Sequence, residues 1–266
     1  MNHRAIVLAA GLATALTLAA CGAGDATEGA QDGTGAEHGS DVTGELTILA
    51  AASLHTVFEE VAEMFAAAHP EGTVTFSFAG SADLVAQLDA GAPADVLATA
   101  DEATMAAAVA NDTIQGESVI FASNALTLIT PAGNPAGVTG LDESLDEAHL
   151  VVCAPHVPCG GVTETLAEFL DVELQPVSED RSVIDVLGKI TSGQGDAGLV
   201  YTTDAASAAG QVEIIEVYDQ DEEVRNDYPI AVTSATDQPD LAGAWVDFVL
   251  GPQAQAVLDE AGFGTP

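Results

Sequence analysis

From residue 46 onward, short apolar runs alternate with amphipathic stretches. Residues 46–52 are apolar except for Thr47, the pattern of a strand buried on both faces. Residues 53–69 then place Val57, Phe58, Val61, Met64, Phe65 and Ala68 at helical spacing on one face. Residues 73–78 alternate like a strand; a helix follows through Leu84, Val85 and Leu88 and stops at Gly91-Ala92-Pro93. Residues 95–99 read as a strand and 101–110 as a helix opened by an acid, as the helix dipole prefers. A second series follows, with strands over 125–130, 150–153, 197–201 and 212–217 and helices over 161–170, 183–191 and 203–209. Two last helices, 240–250 and 253–261, flank Gly251-Pro252. This order predicts an α/β protein of two lobes, each a mainly parallel sheet flanked by helices.

Before residue 46 the pattern is of another kind. His3 and Arg4 precede a run of small apolar residues over 5–20, and Leu18-Ala19-Ala20-Cys21-Gly22 resembles the bacterial lipobox. Residues 1–20 are therefore expected to be a lipoprotein signal peptide, with Cys21 as the lipid-bearing N-terminus; an ordinary secretory signal is the alternative. Residues 21–45, rich in Gly, Ala, Asp, Glu and Thr, bury too little surface to offset their ordering entropy and read as a flexible acidic tether. No other stretch approaches membrane-spanning length. The expectation is an extracytoplasmic protein anchored to the cell membrane by lipid rather than embedded in it.

Charge narrows the function. The 266 residues carry 42 acids against 4 basic groups, a formal net charge of −38. Nucleic-acid binding and docking to an anionic bilayer both need clustered Lys and Arg, which this chain lacks. Such charge repels itself in dilute buffer and is better tolerated when salt screens it, which points to a saline setting. With lipid on Cys21, Cys153 and Cys159 remain. In an oxidising compartment they are a candidate disulfide; two small buried hydrophobes is the other reading.

Ser53 and Ser81 each follow a strand and open a helix. In open α/β sheets ligands sit beyond the carboxyl ends of strands, where helix N-termini offer unpaired N–H groups to an anion. Taken singly, each serine reads first as an ordinary N-cap, and the pair matters only with further support.

The run Ala50-Ala51-Ala52-Ser53-Leu54, then Phe78-Ala79-Gly80-Ser81 and Gln87-Leu88-Asp89-Ala90-Gly91-Ala92-Pro93-Ala94-Asp95-Val96, closely resembles the periplasmic molybdate-binding protein family. So do His156-Val157-Pro158-Cys159-Gly160, Ala197-Gly198-Leu199-Val200-Tyr201 with Asp204-Ala205, Tyr228-Pro229-Ile230, and Phe248-Val249-Leu250-Gly251-Pro252-Gln253. The resemblance spans residues 46–263 and implies a class II periplasmic-binding-protein fold with two hinge crossings, near Asn124-Ala125 and Pro229-Ile230. Lobe 1 would be residues 46–124 plus 230–266, and lobe 2 residues 125–229. It also implies an oxyanion site made of Ser53, Ser81, the amides of Cys159 and Val183, and the Tyr201 hydroxyl. Family members commonly carry Ala where Cys159 stands, and Arg181 or Ser182 compete with Val183 for its place. The implied ligand is molybdate or tungstate, with Mo or W present only inside the anion and no cofactor. The implied partner is the membrane permease of an ABC importer, and the protein would be a monomer and not an enzyme.

The chemistry of such a site is coherent. Molybdate near neutral pH is a tetrahedral dianion that accepts hydrogen bonds and donates none. Charge-assisted hydrogen bonds contribute roughly 1.5–3 kcal/mol each, so several preorganised neutral donors can offset its desolvation. Beyond Arg4 the only cations are Arg181, Lys189 and Arg225, with Arg181 expected on the surface. Sulfate, a smaller dianion of the same kind, is the main rival ligand; phosphate keeps a proton and wants an acceptor. A ferric receptor would need a tyrosine pair, and Tyr201, Tyr218 and Tyr228 are apart in sequence. A serine hydrolase built on Ser53 and His55 is remote, since residues two apart on a helix do not face each other and no Gly-x-Ser-x-Gly elbow is present. A purely structural lipoprotein would not need two serines at strand ends.

Overall fold

The computed structural model describes residues 43–215 and 224–265. The expected signal peptide, the Cys21 expected to bear lipid and the expected tether up to residue 42 lie outside the described residues, as do Glu216 and Val217 at the end of the strand expected over 212–217.

Strand β1 (Gly44–Ala51) starts two residues before the folded part was expected to begin. It lies between β2 (Gly72–Ala79) and β3 (Val96–Ala98), parallel to both. As a central strand it is buried on both faces from Ile48 to Ala51, hence its unbroken apolar run. A single 3₁₀ turn (Ala52–Leu54) leads into α1 (His55–Ala68), which buries Val57, Phe58, Val61 and Phe65 and leaves Glu59, Glu60 and Glu63 exposed. Helices α2 (Ser81–Asp89) and α3 (Glu102–Ala110) follow their strands. The carboxylate of Asp101 caps α3, accepting from the Thr104 N–H at 2.8 Å.

The second series holds β4 (Ile114–Pro131), β5 (Leu150–Cys153), α4 (Pro158–Leu170), β6 (Ser178–Asp180), α5 (Val183–Thr191), β7 (Ala197–Tyr201), α6 (Thr202–Ser207) and β8 (Val212–Ile215). Then come β9 (Arg225–Thr233), α7 (Pro239–Leu250) and α8 (Pro252–Glu260). The strand order is β2-β1-β3-β9-β4-β7-β5-β6, with β8 on β4. Strand β5 runs parallel to β6 and β7, whereas β4 is antiparallel to β7, β8 and β9, and β9 to β3. Residues 114–125 of β4 pair with β9 and residues 126–131 with β7 and β8, so this one strand passes from the first sector of the sheet to the second. Strand β9 makes the return, with Asn226 opposite Asn124 and Ile230 opposite Ala98.

The C-terminal helices pack on the first sector through Trp245, which is fully buried. Its ring meets Phe58 and Phe65 edge-on at 5.7 and 5.3 Å, a preferred geometry for aromatic quadrupoles. Burying each of these rings is worth roughly 1.5–3 kcal/mol, which ties the chain's end to its beginning. No helix among the described residues is long and apolar enough to cross a membrane.

Candidate functional site

The carboxyl ends of β1, β2, β5 and β7 converge with several helix starts on one small cavity of about 20 Å³. Its walls include Ser53, Ser81, Cys159, Val183 and Tyr201, all five residues that the sequence nominated, together with Gly80, Ala100, Pro158, Arg181 and Ser182. No carboxylate lines it.

Each wall residue is placed by its local fold. Ser53 is the middle residue of the 3₁₀ turn, and Ser81 is the first residue of α2, with Gly80 as N-cap. Neither hydroxyl caps its own helix, which removes the ordinary N-cap reading. The Ser81 Oγ instead accepts from the Ala100 N–H at 3.1 Å, leaving its own proton free to point elsewhere. The Ser53 Oγ lies 3.1 Å from the Tyr228 hydroxyl. Val183 opens α5 behind Ser182, whose hydroxyl accepts from the Asp185 N–H as an N-cap. Val183 is therefore a first-turn amide, and such N–H groups have no acceptor within their own helix.

Pro158 and Cys159 are the first two residues of α4, three residues before the expected start; proline suits this position because its missing N–H would be unpaired anyway. A disulfide joins Cys159 to Cys153, the last residue of β5. It ties the start of α4 to the strand that leads into it. Gly160 tightens the same loop, since a Cβ there would sit 1.8 Å from the Ala154 carbonyl oxygen.

Tyr201 ends β7 and is buried, as is Tyr228 from β9; their rings lie 5.8 Å apart. Burial pushes both phenols well above the usual tyrosine range, so both stay protonated and able to donate. The fold thus brings together a tyrosine pair that the sequence leaves apart. Desolvation disfavours the phenolate a ferric site would need, and no group of three or more acidic, His or Cys side chains among the described residues is arranged to hold a metal. His55 lies 3.6 Å from Glu59 with its ring tilted against Phe78, while Ser53 pairs with Tyr228, so Ser53 and His55 do not pair with each other.

Three contributors escaped sequence reasoning. Asn226 donates to the Tyr201 hydroxyl at 2.7 Å and to the Pro158 carbonyl at 3.0 Å. Tyr228 and Asp204 were visible only as parts of motifs, with no role. Asp204, four per cent exposed, has its carboxyl pushed up to about 8 by burial, against a backbone hydrogen bond at Tyr201 that lowers it; its Oδ2 has no partner.

The two sectors touch across the cavity. Gly80 lies against Arg181, where an added Cβ would come within 2.3 Å of the carbonyl oxygen, and the Arg181 guanidinium pairs with Asp83 of α2. Arg181 is largely exposed, as expected, but it is engaged across the cleft rather than free. Beside the cavity opens a cleft of about 800 Å³ that shares Ala52, Ser53, Gly80 and Ser182 with it. Glu60, Asp83, Asp185, Asp204 and Glu260 line this outer space, so the acids stand outside the cavity wall.

Residues 46–264 match the profile of the bacterial extracellular solute-binding proteins. The chain is 38% identical to the molybdate-binding protein ModA of Mycobacterium tuberculosis, over 99% of this chain and all of that protein. It is 29% identical to the ModA of Escherichia coli, over 83% of this chain and 89% of that protein. Among solved structures, the Azotobacter vinelandii periplasmic molybdate-binding protein superposes with a TM-score of 0.71 at 21% identity, covering 83% of this chain and 99% of that one. The sulfate-binding protein SubI of M. tuberculosis superposes at 0.66 and 22%, covering 82% and 86%. At these identities the two structures speak for the fold alone.

Proposed function

Because the chain belongs to the bacterial extracellular solute-binding protein family, we propose that it captures molybdate or tungstate outside the cytoplasm and hands it to the permease of an ABC importer. The observation that carries the reading is the cavity itself: five nominated donors, contributed by both sectors of the sheet, enclose one small space without a carboxylate.

In this reading Ser53 and Ser81 donate from lobe 1, and the Cys159 and Val183 amides and the Tyr201 hydroxyl donate from lobe 2. The lobes are residues 46–124 with 230–266, and residues 125–229, joined by β4 and β9. An oxyanion held by both lobes favours the closed arrangement because only that arrangement supplies all its contacts. The contact of Gly80 with Arg181 is what such closure requires. The permease would then read the closed form. Residues 1–20 would be removed as a signal peptide, Cys21 would carry lipid, and the residues from 21 up to the start of β1 at Gly44 would let a monomer range from the membrane. No resident cofactor or catalytic step enters this reading.

Calorimetric titration of the purified protein with molybdate, tungstate, sulfate and phosphate in high salt tests it. One-to-one binding of molybdate or tungstate without heat from sulfate is the expected result. Binding of sulfate alone would move the protein to another oxyanion, and silence from all four would end the reading.

A further inference from the structure

Asn226 sits on β9 where the chain crosses between sectors, directly opposite Asn124 on β4. Its amide nitrogen lies 3.0 Å from the Pro158 carbonyl oxygen and 2.7 Å from the Tyr201 hydroxyl. The orientation of this amide is fixed by chemistry. A carbonyl only accepts, so the group facing Pro158 must be the NH₂; the opposite flip would set two acceptors against each other. An amide nitrogen has no acceptor lone pair, so the Tyr201 oxygen must accept the second N–H. The phenolic hydrogen is thereby released from Asn226 and can be given only to another acceptor. The neighbouring Tyr228 hydroxyl is one such partner, being hydrogen-bonded to Tyr201, and an anion placed in the cavity that Tyr201 lines would be another.

The same side chain reaches the other half of the lobe-2 donor set. Pro158 immediately precedes Cys159, and holding the Pro158 carbonyl fixes the peptide plane whose N–H belongs to Cys159. One residue on the crossing strand thus orients two neighbouring donors. Asn124 does parallel work next door, donating to the Thr203 hydroxyl at 2.8 Å and accepting from the Thr202 hydroxyl at 2.9 Å.

We infer that Asn226 is a positioning residue that sets ligand specificity: by filling an acceptor position of the Tyr201 hydroxyl it turns that hydroxyl's proton toward the cavity, and so favours oxyanions that carry no proton of their own. The inference rests on the molybdate reading of the cavity. A fully deprotonated dianion takes the phenolic proton; hydrogen phosphate would need an acceptor at the place where Asn226 already donates.

The test compares molybdate with inorganic phosphate near neutral pH, by calorimetry on the purified full-length protein and the Asn226→Ala, Tyr201→Phe and doubly substituted variants. Asn226→Ala is expected to weaken molybdate binding about tenfold and to narrow the molybdate-over-phosphate ratio by a similar factor. In the Tyr201→Phe background the same substitution should cost much less, because its main target is gone. An unchanged ratio, or full additivity of the two substitutions, overturns the inference. Tyr201→Phe weakening molybdate while Asn226→Ala does nothing defeats the inference alone; no effect from either defeats the reading of the site as well. Should Asn226→Ala not fold, Asn226→Asp keeps the shape but can only accept, so it captures the phenolic proton. Molybdate affinity should then fall about a hundredfold, and undiminished binding overturns the role.

Discussion

Removal of the Ser81 hydroxyl separates two consequences that one side chain carries. Ser81 is two per cent exposed, and its Oγ accepts from the buried Ala100 N–H at 3.1 Å while facing the cavity. In Ser81→Ala the ligand loses one charge-assisted donor, worth roughly 1.5–3 kcal/mol, or about 10- to 150-fold in Kd. Independently, the Ala100 N–H loses its acceptor, and an orphaned buried donor costs about 1–3 kcal/mol of stability. For a domain of this size each kcal/mol lowers Tm by about 2–4 °C. Titration calorimetry reads the first effect; thermal unfolding of the ligand-free protein reads the second. Both losses are expected together. A weaker Kd with unchanged Tm would mean that water replaces Oγ at Ala100. An unchanged Kd would refute the assignment of Ser81 to the ligand.

Three further outcomes follow from the same geometry. Gly80→Ala, whose new Cβ would meet the Arg181 carbonyl oxygen at 2.3 Å, should weaken molybdate binding by about 1–3 kcal/mol through obstructed closure; unchanged affinity would show that the sectors need not approach so closely. The Cys153→Ser, Cys159→Ser double variant should lose about 2–4 kcal/mol of stability and several-fold in affinity through a less fixed Cys159 amide, and a variant with neither loss would make the bridge irrelevant to the site. Asp204, with its carboxyl raised to about 8, binds a proton in the folded state that the unfolded chain releases near 3.8, so its stabilising contribution is complete below that value and lost as pH rises through about 8. The slope reaches about 1.4 kcal/mol per pH unit; in denaturant titrations Asp204→Asn should flatten it, and identical pH profiles would contradict the burial argument.

The elements that periodicity describes well were legible in the sequence. Strands β5 and β7 and helix α5 fall on the expected residues, because each is a buried apolar run or a clear 3.6-residue stripe ended by polar groups. The first half of β4 was not visible: residues 115–119 are exposed, Gly116 has a φ of +78°, and register shifts interrupt its pairing with β9, so no alternation survives. Strand β9 was hidden by Pro229, which argues against a strand, yet its carbonyl still receives the Thr99 N–H at 3.0 Å. The early start of α4 was masked by Pro158 and Gly160, the two weakest helix formers by propensity, which stand ahead of the expected start at 161. Ser53, Ser81, Cys159 and Tyr201 were legible because each lies inside a run of residues that the family resemblance carries; Val183 lies in none of these runs and was placed only by its spacing from Tyr201. Asn226 was not, because its partners are 25 and 68 positions away and meet it only through the register of β9.

For a chain of net charge −38, the proposed capture of a dianion without a lysine or a free arginine poses an electrostatic question, and the fold answers it by distance. The N-termini of α2, α4 and α5 abut the cavity, and the 3₁₀ turn leading into α1 adds a fourth. Each helix start carries roughly half a positive charge on its unpaired N–H groups, so together they approach the two charges of the ligand, but only over the first turn. The acids of the outer cleft lie beyond that wall, in contact with solvent, where counterions screen them over about 8 Å at physiological ionic strength. Attraction at the site is therefore short-ranged and dry, whereas repulsion from the surface is long-ranged and wet. Salt weakens only the second. An acidic surface can then follow the demands of a saline exterior while the site beneath it keeps its affinity, provided the cavity closes completely, and closure is what the glycine at position 80 and the crossing pair of strands allow.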